Sequence, residues 1–445
     1  MSSPQVHIVG AGLAGSEAGN FLAKRGIRVI LHEMRPVRMT EAHQTERFAE
    51  LVCSNSFKSK APHSAPGMLK AEMTKLDSLV LDAASKTVLP GGEALVVDRN
   101  RFSETVTQAL QSHPNISIVR EEVCQAFDPD SITLFATGPL TSEKLGTWIA
   151  ESTGLKDLYF YDAIAPIVDA STIDHSRAFL ANRYGKGEEE AYLNCPMNEQ
   201  EYEVFYQALM TGEKVPPKNF EKEKFFQACQ PIEAIAATGV DSLRFGPMKP
   251  VGLIDPSDPS GKRPYAVVQL RPENKSLTAY NLVGFQTKLK YGAQLEAFRK
   301  IPALSKAEFF RLGSIHRNTY VCGPRVLRPD LSLRGKPNVF LAGQVTGVEG
   351  YLESAACGLL AGMFIFQRIH NQPHQAPPAN TALGALLRHV IASNPDRYEP
   401  SNIHFGLFEP QFYDGLEGKK RDDSRRLMSI QSLENFCRWS EKIGL

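Results

Sequence analysis

Along the first part of the chain the apolar positions change period in an ordered way. Gln5 to Val9 alternates and stops at a glycine, which predicts a strand. Ala14, Ala18, Phe21 and Leu22 then recur at helical spacing until Gly26, and Arg28 to His32 predicts a second strand. This is a βαβ unit at the head of the chain. Residues 40 to 75 carry no sustained period, so a long loop is expected there, with a helix near 66 to 81. Asn100 to Ser112 reads as a helix, Ile116 to Glu121 as a strand, and Ile132 to Ala136 as a buried strand ending in Thr137-Gly138.

From about 165 to 300 the texture changes to proline-rich turns, charged helices near 198–211 and 219–228, and a strand at Tyr265 to Leu270. The α/β texture returns at Val339 to Ala342, closed by Gly343, with a helix from Glu353 to Arg368. The proline-rich stretch His370 to Asn380 reads as a linker to a C-terminal helical segment. The fold class expected is α/β: a Rossmann-like domain in two parts (1–165 and 301–370), an inserted smaller α+β domain (166–300), and a linker with a helical segment (371–445).

Composition narrows the picture only a little. The chain has 445 residues, of which 42% are hydrophobic and 22% charged, as expected of a soluble protein with a full core. No unbroken apolar run long enough to span a membrane is visible, and the N-terminus passes straight into a strand, so no cleavable signal is expected. Seven cysteines lie far apart without a CxxC pair, which argues for a reducing, cytoplasmic setting and against disulfides or a zinc site. A net charge of +1 gives no global sign of a nucleic-acid partner. Such a partner would be held by local patches, of which Lys58, Lys60, Lys70 and Lys75 form one and Lys419, Lys420, Arg421, Arg425 and Arg426 another. By charge alone each is more simply a solvated face.

Gly10-Ala11-Gly12-Leu13-Ala14-Gly15 fits G-x-G-x-x-G between strand and helix. The first glycine permits the tight turn, the second lets backbone approach a pyrophosphate, and the third lets helix and strand pack closely. Glu33 closes the second strand, where a carboxylate accepts from ribose hydroxyls. Asn338-Val-Phe-Leu-Ala-Gly-Gln344 looks like the distal strand of two-lobed FAD-binding flavoproteins, although many of those have Asp in place of Gln344. Ala136-Thr137-Gly138 resembles their middle strand end. Three signals in the right order predict bound FAD, with Gly138, Gly343 and Gln344 near it.

Phe48-Ala-Glu-Leu-Val-Cys53-Ser-Asn-Ser56, Cys229-Gln-Pro-Ile-Glu233, Phe245 to Leu253, His316-Arg-Asn-Thr-Tyr320 and Gly347-Val-Glu-Gly-Tyr351-Leu-Glu-Ser-Ala355 occur in that order. Together they resemble the folate- and FAD-dependent tRNA (uracil-5-)-methyltransferase family, TrmFO, over nearly the whole chain. The resemblance implies methylation of carbon 5 of uridine 54 in the tRNA T loop. The carbon would come from 5,10-methylenetetrahydrofolate and the reducing equivalents from NADH or NADPH through FAD. Neither a membrane nor an obligate protein partner is expected.

That chemistry asks for an activated thiol, because uracil carbon 5 is a poor nucleophile until a thiolate adds at carbon 6. Cys229 is the candidate, and Glu233, four residues on, would share its helical face as a proton relay. The resemblance also implies a second cysteine near the flavin, and Cys53 stands in that motif. Control of the flavin, proton transfer and a share in the uracil chemistry all remain open for it. The remaining five cysteines read as small buried hydrophobes. Tyr351 suits stacking on a pterin or on the flavin, and a core tyrosine nearly as well. His316, Arg317 and Asn318 suit substrate contact or interdomain hydrogen bonds equally, and Lys249 an anion or a salt bridge.

Two rival readings share parts of this pattern. One is the flavin and folate enzyme that modifies the tRNA wobble uridine with a GTPase partner, which is longer at its C-terminus. The other is a small-molecule flavin oxidoreductase, which needs no motif-embedded cysteine pair. A non-catalytic flavin in an RNA-binding protein is disfavoured by the same two cysteines.

Overall fold

The computed structural model describes residues 5–155, 159–185, 191–215, 230–256, 261–409 and 421–444. Two sheets organise it. The first runs in the order Ser332–Leu333, Lys336–Leu341, Ile132–Phe135, Gln5–Val9, Arg28–Glu33, Ile116–Arg120, parallel except for the short Ser332–Leu333 edge. Strand Gln5–Val9 sits centrally, pairing Val6 with Val29 on one side and with Ile132 on the other. Parallel strands of this kind are covered on both faces, which is why their inner positions read as continuous apolar runs.

Helix Leu13–Lys24 packs along helix Tyr351–Ile369. The two backbones approach so closely that a Cβ on Gly358 would stand 2.2 Å from the Ala14 carbonyl oxygen. Small residues on facing positions therefore set the distance between these helices. Tyr351–Ile369 is apolar and long enough to cross a membrane by composition alone, yet 83% of that stretch is buried inside the protein. It is a core helix.

The second sheet is antiparallel, ordered Phe179–Leu180, Leu193–Met197, Ala266–Pro272, Ala279–Leu282, Ile167–Asp169, Phe309–Arg311. Helix Glu199–Thr211 covers it, started by a reciprocal cap between Asn198 and Glu201. Phe205, Phe285 and Phe298 are fully buried in a core separate from that of the first sheet. The chain leaves and re-enters the first domain on a two-stranded ribbon, Tyr159–Ile164 against Ser314–Thr319. The insertion thus runs past the expected boundary at 300, because Phe309–Arg311 pairs with Ile167–Asp169 at the sheet edge.

The helix expected near 66–81 is two helices, Ala65–Lys75 and Leu79–Lys86. Asp77 adopts φ +55° and Ser78 caps the second helix by accepting from Leu81 N, which breaks the helical path. The expected helix at 219–228 lies outside the described residues. At the C-terminal end, helices Ala382–Ala392 and Arg421–Lys442 dock on Ala65–Lys75. Buried Glu72 joins them, accepting from Ala382 N and Leu383 N at 2.8 Å each and from Ser432 Oγ at 2.7 Å.

Candidate functional site

The C-terminal ends of the parallel strands open on a cavity lined by the glycine loop, Glu33, Gly138, Gly343 and Tyr351. Gly10 turns the chain with φ +98°, and a Cβ there would lie 2.6 Å from the Ala136 carbonyl oxygen. A Cβ on Gly12 would meet nothing nearer than that oxygen, at 4.0 Å, so the loop presents bare backbone to the cavity. Helix Leu13–Lys24 then starts with Gly12 as its N-cap and no side chain capping its amides. An uncapped, glycine-led helix N-terminus bordering a cavity suits a pyrophosphate.

Glu33 is buried at the end of its strand. Its carboxylate accepts from Ala11 N at 3.0 Å and from Arg35 Nε and N at 2.9 and 3.1 Å. Burial opposes the charge, but Arg35 and the two amides outweigh it and hold the carboxyl below its ordinary pKa. Glu33 therefore stays ionised beside the cavity. Arg35, which the sequence pattern did not single out, also reaches Thr45 O at 3.1 Å and Glu50 at 3.2 Å. His32 is a second such residue; it lines the cavity and bonds Glu121 at 2.8 Å.

Tyr351 lines the same cavity at the start of the long core helix. Its hydroxyl accepts from the amides of Cys53 and Ser54, at 2.7 and 3.0 Å. Burial drives this phenol well above its ordinary pKa, so it stays protonated. Two arginines grip the same loop from outside. Arg99 donates to Leu51 O and to Cys53 O, the latter at 3.1 Å, and its Nε edge is closed by Glu273. Arg311 donates from Nη1 to Val52 O at 2.8 Å. Arg99 comes from the first domain, Glu273 and Arg311 from the insertion, so the Cys53 loop is held where the two domains meet.

Comparison with known proteins agrees with this geometry. Residues 5–373 match the family described as Glucose inhibited division protein A. The methylenetetrahydrofolate–tRNA-(uracil-5-)-methyltransferase TrmFO of Moorella thermoacetica is 50% identical over 432 residues, covering 97% of each chain. The protein of the same name from Pelotomaculum thermopropionicum is 48% identical over the full length of both. The chain belongs to the TrmFO family. Aquifex aeolicus GidA, in its form I crystal, shares the fold at a TM-score of 0.68 with 17% identity. The match covers 98% of this chain and 76% of GidA.

Against the residues expected from this TrmFO family sequence, the placement is uneven. Gly10, Gly12, Leu13, Ala14, Glu33, Gly138, Gly343, Gln344 and Tyr351 all line one cavity. Ala11 and Gly15 stand behind it: Ala11 donates to Glu33, and a Cβ on Gly15 would stand 1.9 Å from Gly10 O. Gln344 spends its amide on Glu349 at 2.6 Å. Cys229 lies outside the described residues. The helical face expected to join it to Glu233 is interrupted, because helix Ile232–Ala236 starts only after Pro231, whose ψ of 138° is extended. Glu233 is buried and accepts from Thr287 Oγ1 at 2.9 Å and Lys288 N at 2.6 Å, and burial raises its pKa.

The two basic patches also separate. Lys58 pairs with buried Glu353 at 2.5 Å, and Lys70 donates to Ser59 O at 2.9 Å, its pKa lowered to about 8 by burial. Those two lysines are structural, whereas Lys60 and Lys75 are exposed. In the second patch Arg425 lies over the Phe405 ring and Arg426 is exposed. Lys419 and Lys420 fall outside the described residues. Asn318 is buried, and Lys249 accepts from Arg183 through its carbonyl.

Proposed function

We propose that this chain is a methylenetetrahydrofolate-dependent tRNA (uracil-5-)-methyltransferase that forms 5-methyluridine at position 54 of the T loop. The observation that carries the reading is the Tyr351 bridge, which sets the Cys53 loop against the dinucleotide cavity within a chain half identical to a TrmFO protein. The glycine loop and Glu33 fit FAD, the glycines by leaving room for the pyrophosphate and Glu33 by presenting a charged acceptor. Bound FAD would supply the hydride that turns the transferred methylene carbon into a methyl group, with NADH or NADPH as its reductant.

The chain supplies the rest. Cys229 is assigned the addition to uracil carbon 6, which makes carbon 5 nucleophilic toward the folate carbon. Loss of the carbon 5 proton then expels tetrahydrofolate from the transferred carbon, and the Cys229 thiolate leaves carbon 6 as that carbon is reduced to methyl. Cys53, held beside the cavity by Tyr351 and Arg99, is assigned to the flavin side of the reaction. The uridine must leave its stacked loop to reach either thiol, at a cost of a few kcal/mol.

The test is incubation of purified protein with unmodified tRNA, methylenetetrahydrofolate and NADH or NADPH, followed by nucleoside mapping. The reading expects 5-methyluridine at position 54. Modification confined to the wobble uridine, or no tRNA product, overturns it.

A further inference from the structure

Arg99 and Arg311 hold neighbouring carbonyls of the Cys53 loop, but they differ on their other edge. In a guanidinium, Nε–H and one Nη2–H point the same way and form a fork matched to two oxygens. Arg99 closes this fork on the Glu273 carboxylate. Arg311 uses only Nη1, on Val52 O, and its Nε and Nη2 are solvent-shielded with no acceptor. A buried donor left without a partner costs roughly 1–3 kcal/mol, more when charged, so a whole vacant fork calls for an explanation. Burial and the neighbouring Arg99 lower the Arg311 pKa to about 10, which leaves it charged at neutral pH.

Arg311 also belongs to the wall of a groove between the insertion and Glu41, Ala42 and Gln44 of the first domain. Tyr291 and Phe310, 63% and 61% exposed, line the same groove. Two solvent-facing aromatic rings and a vacant arginine fork are the elements of a nucleotide site, one part for a base and one for a phosphate.

We propose that Arg311 turns its partnerless, shielded fork into this groove to take the phosphate beside the target uridine, with a neighbouring loop base on Tyr291 or Phe310. This rests on the tRNA reading above. A folate carboxylate offers the same pair of oxygens. It hangs beyond the aminobenzoyl group, far from the carbon that is transferred, whereas a nucleotide phosphate lies one sugar from its base. Tyr291 and Phe310 give the groove two faces for bases, which a tRNA loop supplies beside its phosphates.

Arg311→Gln and Arg311→Lys in the full-length FAD-loaded protein test this. Arg311→Gln is expected to retain FAD, to weaken tRNA binding about tenfold or more, and to lower the salt slope by slightly under one. Arg311→Lys keeps the slope but not the fork, and should bind with intermediate affinity. Wild-type protein provides a check independent of folding: T-arm RNA with a neutral methylphosphonate beside the target uridine should bind about tenfold more weakly. Full affinity for that RNA overturns the proposal. So does unchanged tRNA binding by Arg311→Gln, whether or not its folate saturation shifts, and a folate shift alone would assign the fork to folate. Wild-type methylation of tRNA survives all of these outcomes, so failure of the functional reading is separately visible.

Discussion

The Tyr351 hydroxyl accepts hydrogen bonds from the amides of Cys53 and Ser54, joining positions nearly three hundred residues apart in sequence. Replacing Tyr351 with phenylalanine leaves two amides without this acceptor, a loss of roughly 1–3 kcal/mol. The variant is expected to keep FAD, to melt earlier, and to react faster with iodoacetamide at Cys53. Unchanged alkylation would mean that the bridge does not restrain the cysteine loop.

The two glycines of the phosphate loop should fail differently. At Gly10 a side chain meets a positive φ and the Ala136 carbonyl, so Gly10→Ala is expected to destabilise the fold itself. A side chain on Gly12 has space until a ligand arrives. Gly12→Val should therefore melt near the wild-type apoprotein yet purify without flavin, read by absorbance near 450 nm. Normal FAD content in Gly12→Val would remove the pyrophosphate from this loop.

Glu72 gives a pH dependence with a defined sign. Burial pushes its carboxyl up to about 7, against the hydrogen bonds from Leu383, Ala382 and Ser432 that favour the charge. In the unfolded chain the group titrates near about 4.3, so folding retains a proton over the interval between. Its stabilising share is complete below the unfolded value and is lost as pH rises through about 7. The melting temperature of wild type should fall relative to Glu72→Gln between about pH 4.5 and 7. Parallel curves for the two proteins would contradict the assignment.

The two cysteines are separable by trapping. T-arm RNA carrying 5-fluorouridine cannot release a proton from carbon 5, so the thiol adduct should persist and map to Cys229. Cys229→Ala should form no adduct, whereas Cys229→Ala and Cys53→Ala should both lose methylation while retaining FAD. RNA found on Cys53 alone would exchange the two roles, and full activity in Cys229→Ala would end the nucleophile assignment.

Short-range pattern was enough to read the βαβ unit, the glycine loop and Glu33, because strand, turn and helix N-terminus depend on residues close together in sequence. The motif order was likewise sufficient to place the chain in its family. The break at Asp77 and Ser78 was a local signal of the same kind, a capping serine that helical periodicity alone passed over. Other features depended on the tertiary structure. Lys58 read as a member of a charged surface until folding brought Glu353 to it. Glu233 was expected to share a helical face with position 229, but Pro231 is extended there, and only the fold brought Thr287 and Lys288 to it as partners. Arg99, Glu273 and Arg311 carry no motif, and they meet around the Cys53 loop because the insertion folds back on the first domain. Hydrogen bonds and burial act across space without regard to sequence separation, so which polar groups are satisfied, and which fork stays open, was decided only by the fold.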